Sequence, residues 1–314
     1  MLRAETPQEQ RSLIGLGQRN MIINGDFQVW QRGTSGTSGY VADRWKGVNC
    51  SSQSKQYDAD VGNYIQFTAT NAAVMYYGIE LPETGKVTPF EVGETYTVSL
   101  KVKSDALMHK PNVSFRDGIA GGTNTTFTPV EIKPHMATGE WEDVVYQFTV
   151  TSAPHSTAIL FELTLVSFEY ANTPINIAQV QIVKGKVATP FEHRSYGEEL
   201  ALCQRYFERY DYSNTQFVSI GLASSSTVAY AMLSYSPKRA NPSITLPPAG
   251  TSGGALAFLT SAGGYPSGVG SNVSQLPSKT LARIYGSGYT GLNAGAPSAL
   301  FSSGASSILI DAEL

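Results

Sequence analysis

Two short motifs carry residue types that could do catalytic chemistry. Ser252 lies in GTSGG, the Gly-x-Ser-x-Gly pattern of a nucleophile elbow, and Gly286, Gly288 and Gly291 spell Gly-x-Gly-x-x-Gly. The elbow requires a following helix and a downstream histidine, but no histidine comes after His193. A phosphate-binding loop must open a helix, which the glycine and proline of LNAGAPSA disfavour. We interpret both motifs as chance matches.

Residues that could ligate a metal are sparse. Asp58, Asp60 and Gly62 resemble the start of a calcium loop, but the later ligand positions of such a loop are missing. No two histidines are three or four residues apart and none has a cysteine partner; they are His109, His135, His155 and His193. The sequence therefore predicts no metal site and no cofactor.

Carboxylates are the remaining route to catalysis. Glu140, Glu142 and Asp143 lead into a predicted strand, and Glu162 lies on the polar face of another. Glycan cleavage needs two carboxylates across one bond. Carboxylates on antiparallel sheets are usually solvated, so we predict that the protein is not an enzyme. A depolymerase that degrades capsule stays an alternative, because pairing across strands is not visible in sequence.

Aromatic rings can stack on sugar C–H faces while nearby polar groups bind the hydroxyls. Besides Trp30 and Trp45, the first half of the chain contains the aromatic residues Tyr40, Tyr57, Tyr76, Tyr77 and Trp141. The predicted glycan-contact residues are Tyr265, Tyr285, Tyr289, Trp30 and Trp45, with the loop tips at 265–270 and 285–291. The competing interpretation is that these rings pack in a core, where Trp30 and Trp45 close the first sandwich, and that the loop tips are oligomer packing or spacer turns.

Residues 20–193 must position these side chains, and their hydrophobic period is two. Apolar residues alternate with polar ones in YTVSLKV, NYIQFTAT, VVYQFTV and ILFELTL. That period is typical of antiparallel sheets with one buried face. We predict an all-β protein with an N-terminal jelly-roll-like sandwich over 20–193.

A connecting helix is predicted over residues 194–210. Ser195 and Glu198 fit a capping box, in which each side chain binds a backbone amide of the other end of the turn. An apolar stripe follows at Leu200, Cys203, Phe207 and Tyr210. It could dock against a sheet or form a seam with copies of the chain, so these four are the predicted oligomer-interface residues.

The final segment, 211–314, has seven charged residues, 20 serines, 13 glycines and nine aromatic residues. Flexible linkers lack aromatic and β-branched residues, so we predict a C-terminal β-sandwich-like domain with long loops. A surface with so little charge favours burial against identical chains.

Composition excludes several function classes. The net charge is −3 and only 15% of residues are charged, so no basic surface is predicted for nucleic acid. No run reaches the roughly 18 apolar residues of a membrane span. MLRAETPQEQ does not have a signal-peptide pattern, and Cys50 and Cys203 do not form a disulfide scaffold. These features predict assembly in a reducing cytoplasm without membrane insertion.

Four stretches resemble a family of bacteriophage tail-fibre and virion structural proteins. They are NMIINGDFQVWQRGTSGTSGYVADRWKG from Asn20, AQVQIVKGKVATPFEHRSYGEELALCQRYFE from Ala178, KRANPSITL from Lys238 and LIDAEL at the end. The first contains Asn-Gly-Asp-Phe, Trp-Gln-Arg-Gly and Ala-Asp-Arg-Trp. The chain departs from the family after Gln181, where Ile-Val-Lys replaces a common acidic Leu-Glu-x-Gly strand end.

The resemblance implies a carbohydrate-binding-module-like sandwich and a distal β-rich receptor-binding domain in a homotrimeric fibre. Modules of this kind often hold a structural calcium near the opening segment, but Gln28 stands where a carboxylate is expected, and positions 179 and 181 are also glutamines. The expected location is the virion, with residues 1–19 binding other virion proteins and the distal domain binding a host surface glycan. A head- or neck-attached fibre or decoration protein without receptor role is the structural alternative.

Overall fold

The computed structural model describes residues 20–80, 90–104, 112–117, 127, 129–152, 158–166, 174–213, 216–249, 256–259 and 271–313. The predicted attachment segment 1–19 and the loop 265–270 lie outside these residues. The chain forms two compact units, divided between Leu200 and Ala201. No helix among the described residues is long and apolar enough to span a membrane.

The described residues of the first unit form ten strands. They are β1 (Ser35–Gly36), β2 (Gly39–Tyr40), β3 (Trp45–Asp58), β4 (Gly62–Glu80), β5 (Thr95–Lys103), β6 (Asn112–Asp117), β7 (Val130–Lys133), β8 (Glu142–Thr149), β9 (Ala158–Val166) and β10 (Pro174–Lys184). The main order is β1-β3-β4-β10-β5-β8-β7, all antiparallel, with β2 on β3 and β9 joining β4 to β6.

The long strand β4 connects the two layers of this sandwich. Residues 65–68 pair with β10, whereas 73–80 pair with β9. An aromatic cluster fills the interior, with ring centroids of Phe115 and Phe148 4.5 Å apart and those of Trp45 and Tyr77 5.0 Å apart. Tilted ring pairs at this spacing are favourable beyond their buried area.

The period-two prediction is confirmed in these strands. Tyr96, Val98, Leu100 and Val102 are all at most 2% exposed, and Val144, Tyr146, Phe148 and Val150 are likewise buried. Thr97 is also fully buried, although the alternation in YTVSLKV predicts that it faces solvent. Its hydroxyl donates to the Gly185 carbonyl at 2.7 Å, which satisfies the polar group inside the protein.

In the second unit, the part of the chain that the structure describes forms nine strands in two antiparallel sheets. They are β11 (Phe207–Tyr212), β12 (Gln216–Ala223), β13 (Val228–Ser234), β14 (Ser243–Thr245), β15 (Leu256–Leu259), β16 (Ser271–Gln275), β17 (Leu281–Ser287), β18 (Pro297–Ser302) and β19 (Ser306–Asp311). Their orders are β15-β18-β12-β13-β17-β16 and β11-β19-β14. One core cluster takes residues from both sheets, including Phe258, Ile284 and Ile310. The all-β, sandwich-like prediction is confirmed for this unit as well.

The helix is shorter than predicted. Helix α1 spans Tyr196–Gln204, and Phe207–Tyr212 is the strand β11, which pairs with β19. The capping box is confirmed, because the Glu198 carboxylate accepts from the Ser195 amide at 3.0 Å and the Glu198 amide donates to Ser195 Oγ at 3.4 Å. The prediction of a helix over 205–210 is wrong. Tyr210 and Tyr212 alternate with Arg209 and Asp211, which also fits the period of a strand, and the segment forms a strand because it pairs with the distant β19.

Candidate functional site

Polar side chains lie at adjacent register positions on one side of the sheet β4-β10-β5-β8. Gln66 pairs with Asn176, Asn176 with Lys103, and Lys101 with Asp143. The neighbours Ile65, Ile177 and Val102 are buried in the core. Successive side chains of a strand point to opposite sides, so the polar set points outward. We call this surface the polar face: Tyr64, Gln66, Lys101, Lys103, Trp141, Asp143 and Asn176.

The charges and amides of the polar face are held in fixed positions. Asp143 binds Lys101 Nζ at 2.7 Å and Lys133 Nζ at 3.3 Å. The hydrogen bond from Lys101, reinforced by Lys133, lowers the pKa of Asp143, although partial burial opposes ionisation. The Gln66 amide donates to Asn176 Oδ1 at 3.1 Å. Such paired groups keep further donors and acceptors for ligand hydroxyls.

Two aromatic rings border these polar groups. Tyr64 and Trp141 are both half-buried, and their centroids are 5.2 Å apart in an edge-to-face arrangement at 77°. Their edge-to-face contact leaves part of each ring exposed. A half-exposed ring beside amides and charged groups is the combination that binds sugars.

The turn that carries Trp141 is fixed by Glu142. Its carboxylate accepts from the amides of Met136 at 2.5 Å and Thr138 at 2.7 Å, and from the Thr138 hydroxyl at 2.6 Å. Burial opposes ionisation of Glu142, but these hydrogen bonds from Thr138 and Met136, together with His135, lower its pKa. These hydrogen bonds therefore fix the turn that positions the Trp141 indole.

A cavity of about 540 Å³ opens beside the polar face. It is lined by Ser99, Leu100, Lys101, Lys133, Asp143, Val145, Gln179 and the segment 188–191. This volume falls in the range of small-ligand sites, and the lining mixes apolar contacts with hydroxyl, amide and charged groups.

Gln181 fixes the wall of this cavity. Its side chain is fully buried, its amide donates to the Thr189 carbonyl at 3.2 Å, and its carbonyl oxygen accepts from the Glu192 amide at 2.9 Å. Gln179 lies in a bulge of β10 and donates to the Val61 carbonyl at 3.2 Å. Both amides are thus used to shape the backbone around the cavity.

Two of the predicted glycan-contact residues are core residues. Trp45 is fully buried against Phe27, Tyr77 and Phe161, and its indole donates to the Asn24 carbonyl at 3.0 Å. Tyr289 is fully buried, and its hydroxyl donates to Asn272 Oδ1 at 2.7 Å. Neither ring presents a face to a ligand, so the core interpretation holds for both.

The other three predicted contact residues differ in position. Trp30 is half-buried, packs against the first core and donates to the Phe27 carbonyl at 2.5 Å. Tyr285 is half-buried on β17, with its ring 5.4 Å from that of Tyr230. Tyr265 lies outside the described residues. Neither Trp30 nor Tyr285 joins the polar face.

The predicted oligomer stripe is divided between a helix and a strand. Leu200 and Cys203 lie on α1, whereas Phe207 and Tyr210 lie on β11. Cys203 and Phe207 are buried within the chain, and Tyr210 is half-buried with its hydroxyl donating to Glu208 at 2.6 Å. The four residues do not form a continuous helical seam, because the helix ends at Gln204.

The carboxylates considered for catalysis are engaged with neighbouring groups. Glu142 accepts the hydrogen bonds described above, and Asp143 binds two lysines. Glu162 is buried and accepts from Arg116 Nε and Ser114 Oγ, each at 2.9 Å. Glu140 is exposed, 3.8 Å from Lys103 Nζ.

The opening motifs form a buried corner of the first unit. The Asn24 side chain binds the Val29 amide and carbonyl and the Asp43 carbonyl, all at 2.9 Å. Asp43 in turn binds Gln31 at 2.8 Å and Arg32 at 3.2 Å. The buried Arg44 donates to the Gly78 carbonyl at 2.5 Å and lies over the Tyr77 ring. These motif residues therefore stabilise the fold.

Sequence reasoning missed Tyr64 as a site residue, and it noted Trp141 without choosing it. The available signal was the period of two, which places Tyr64 and Gln66 on the outer side of a strand whose inner side carries Ile65 and Phe67. The pairing of that strand with β10, which brings Tyr64 near Trp141, is not visible in the sequence.

Residues 19–167 match the model of a family described as carbohydrate binding domain. The match covers somewhat less than half of the chain. The first unit is thus a carbohydrate-binding-module-like β-sandwich. No curated protein matches the sequence.

Several solved structures resemble the chain at low identity. A CBM4 module is 17% identical over 52% of this chain and 98% of its own, with a TM-score of 0.34. The CBM22-1 xylan-binding domain of Paenibacillus barcinonensis Xyn10C is 14% identical over 52% and 94%, with a TM-score of 0.30. An arabinose-bound MgGH51 α-L-arabinofuranosidase is 17% identical over 54% of this chain and only 27% of its own, with a TM-score of 0.38. At these TM-scores, the ligands named for the three structures are properties of those proteins and are not assigned to this chain.

Asp26, in the opening corner, gives a pH-dependent prediction. Its Oδ1 has no hydrogen-bond partner among the described residues. Burial, and then the charge of Glu199, raise the pKa of Asp26, while His193 at 4.0 Å lowers it. A carboxyl whose pKa is raised by folding destabilises the folded state when it is ionised, and protonation removes this penalty.

Asp26→Asn should therefore raise the Tm at pH 7 by a few degrees, since 1 kcal/mol shifts the Tm of a domain this size by about 2–4 °C. The gain should shrink as pH falls through the raised pKa and vanish below the ordinary carboxyl value of 3.8. Asp58→Asn is the control, because the amide of Asp60 lowers the pKa of the exposed Asp58; it should not raise the Tm. Differential scanning calorimetry from pH 3.5 to 7.5 measures both. A gain for Asp26→Asn that is independent of pH would contradict this account.

Proposed function

We propose that the first unit binds carbohydrate through the polar face and that the protein is a non-enzymatic component of a bacteriophage virion. The observation that carries the sugar-binding proposal is the position of Tyr64 and Trp141, half-exposed beside Lys101, Asp143 and a 540 Å³ cavity. This arrangement lies on the sandwich whose sequence matches a carbohydrate-binding family.

The virion role is supported by the motifs that resemble tail-fibre proteins. In this role the chain is a homotrimeric tail-fibre or receptor-binding protein that adheres to a host surface glycan, with residues 1–19 attached to the particle. Trimerisation raises the effective concentration of each weak sugar site without any new contact. Gold-labelled antibodies to the chain should mark the tail in electron micrographs of particles; label confined to the head or neck would instead identify a decoration protein.

Trp141→Ala in the full-length protein tests the sugar site. Wild-type protein is first applied to an array of bacterial surface polysaccharides and plant β-glycans, and the affinity for the best ligand is then measured by calorimetry. Loss of the indole should weaken binding by a factor of about two to ten, because aromatic contacts contribute about 0.5–1.5 kcal/mol and 1.4 kcal/mol is a factor of ten.

Tyr57→Ala is the matched control. Tyr57 is a 73% exposed aromatic residue of β3. Its neighbour Gln56 pairs with Tyr64 and so lies on the side of the polar face, whereas Tyr57 points to the opposite side of the strand. Its removal should leave sugar affinity unchanged. If Trp141→Ala binds as tightly as wild type, or if no glycan on the array binds the wild type, the proposed site is wrong.

A further inference from the structure

One side of the six-stranded sheet in the second unit is apolar and exposed. Ile220 is 81% exposed, Leu222 50% and Met232 49%. Leu222 pairs with Tyr230, and Met232 pairs with Arg283 on the next strand. Because residues that pair directly lie on the same side, these side chains form one continuous surface. We call this surface the apolar face: Ile220, Leu222, Tyr230, Met232, Arg283 and Tyr285.

The apolar face carries almost no charge. Arg283 is the only charged residue in the six described strands β12, β13, β15, β16, β17 and β18. Its guanidinium lies over the Tyr230 ring, 4.8 Å from the centroid, an arrangement that favours the cation. The solvent side of an antiparallel sheet normally alternates polar residues with the buried ones. A contiguous apolar surface in that place marks an interaction site.

We propose that the apolar face is the interface with a second copy of this chain. Two copies can meet through it without desolvating any carboxylate or lysine, which removes the main penalty of burying a surface. The surface of the face is also uneven, because the projecting Ile220 pairs with the small Ala299 on the next strand. A charged partner would find only Arg283 to pair with.

The apolar face is large for an exposed apolar surface. Its six residues lie on three adjacent strands, β12, β13 and β17, which are seven or eight residues long. At about 4.8 Å per strand and about 3.3 Å per residue the face covers roughly 14 by 23 Å, or about 320 Å² in plan. A contiguous apolar patch of this size is in the range that marks an interaction site. This inference deepens the oligomeric part of the proposed function and uses no residue of the polar face.

Sedimentation velocity and light scattering of the full-length protein between 1 and 100 µM test the proposal. The wild type should be an oligomer. Ile220→Glu and, independently, Met232→Glu should each raise the dissociation constant at least 100-fold, because every copy would bury an unpaired carboxylate. Val187→Glu is the control: Val187 is 74% exposed in the first unit, and its variant should assemble like wild type. Near-ultraviolet circular dichroism shows that each variant is folded.

A wild type that stays monomeric at 100 µM overturns the proposal. So does a folded Ile220→Glu or Met232→Glu that assembles like wild type, or a Val187→Glu that dissociates to the same extent. Monomeric wild type whose glycan binding is lost in Ile220→Glu would show that the face takes sugar and would overturn the interface. Failure of the sugar proposal is recognised separately, because Trp141→Ala should lose sugar affinity and remain oligomeric, whereas Ile220→Glu should keep its affinity per site.

Discussion

The first unit depends on a buried ion pair that joins its two chain ends. Arg194 donates to the carbonyls of Asn20 at 2.6 Å and Ile22 at 2.9 Å, and it pairs with Glu199 at 3.2 Å while both side chains are at most 5% exposed. The Asn24 amide donates to the same Glu199 carboxylate. Loss of one member of a buried ion pair typically costs about 3–5 kcal/mol, because the other member is left buried without its partner. The opening and closing segments of the sandwich are therefore fixed to each other.

The contacts between the opening and closing segments also set the shape of the candidate site. The Glu192 carboxylate accepts from the Asn20 amide at 3.0 Å, and the Glu192 amide donates to Gln181. Between Gln181 and Glu192 runs the segment 188–191, which forms one wall of the cavity. Gly25 lies in the same corner, where a methyl group would overlap the Val180 carbonyl oxygen. The residues of the opening motifs thus fix the backbone around the polar face, and the side chains of the polar face itself come from strands elsewhere in the sequence.

Local signals predicted much of the fold. The alternation in YTVSLKV and VVYQFTV identified buried faces, and Ser195 with Glu198 identified the start of the helix, because both depend on neighbours within a few residues. The end of the helix was not predictable in this way, since Phe207 becomes part of a strand only by pairing with Asp311. The candidate site was not predictable for the same reason. Tyr64 and Trp141 are in contact only because of the way several strands pair between them. Trp45 and Tyr289 show that a local motif can also mislead. Trp45 lies in a conspicuous motif and Tyr289 in a glycine-rich turn, yet both are core residues.

The central claim is that sugar binds on the polar face of the first unit. Hydrogen–deuterium exchange of the full-length protein, with and without a saturating oligosaccharide chosen from the array, tests it most directly. The account predicts slower exchange in 62–68, 97–103, 141–147 and 188–191, with little change elsewhere. Slower exchange confined to 216–234 and 281–302, with none in 62–68 or 141–147, would contradict it.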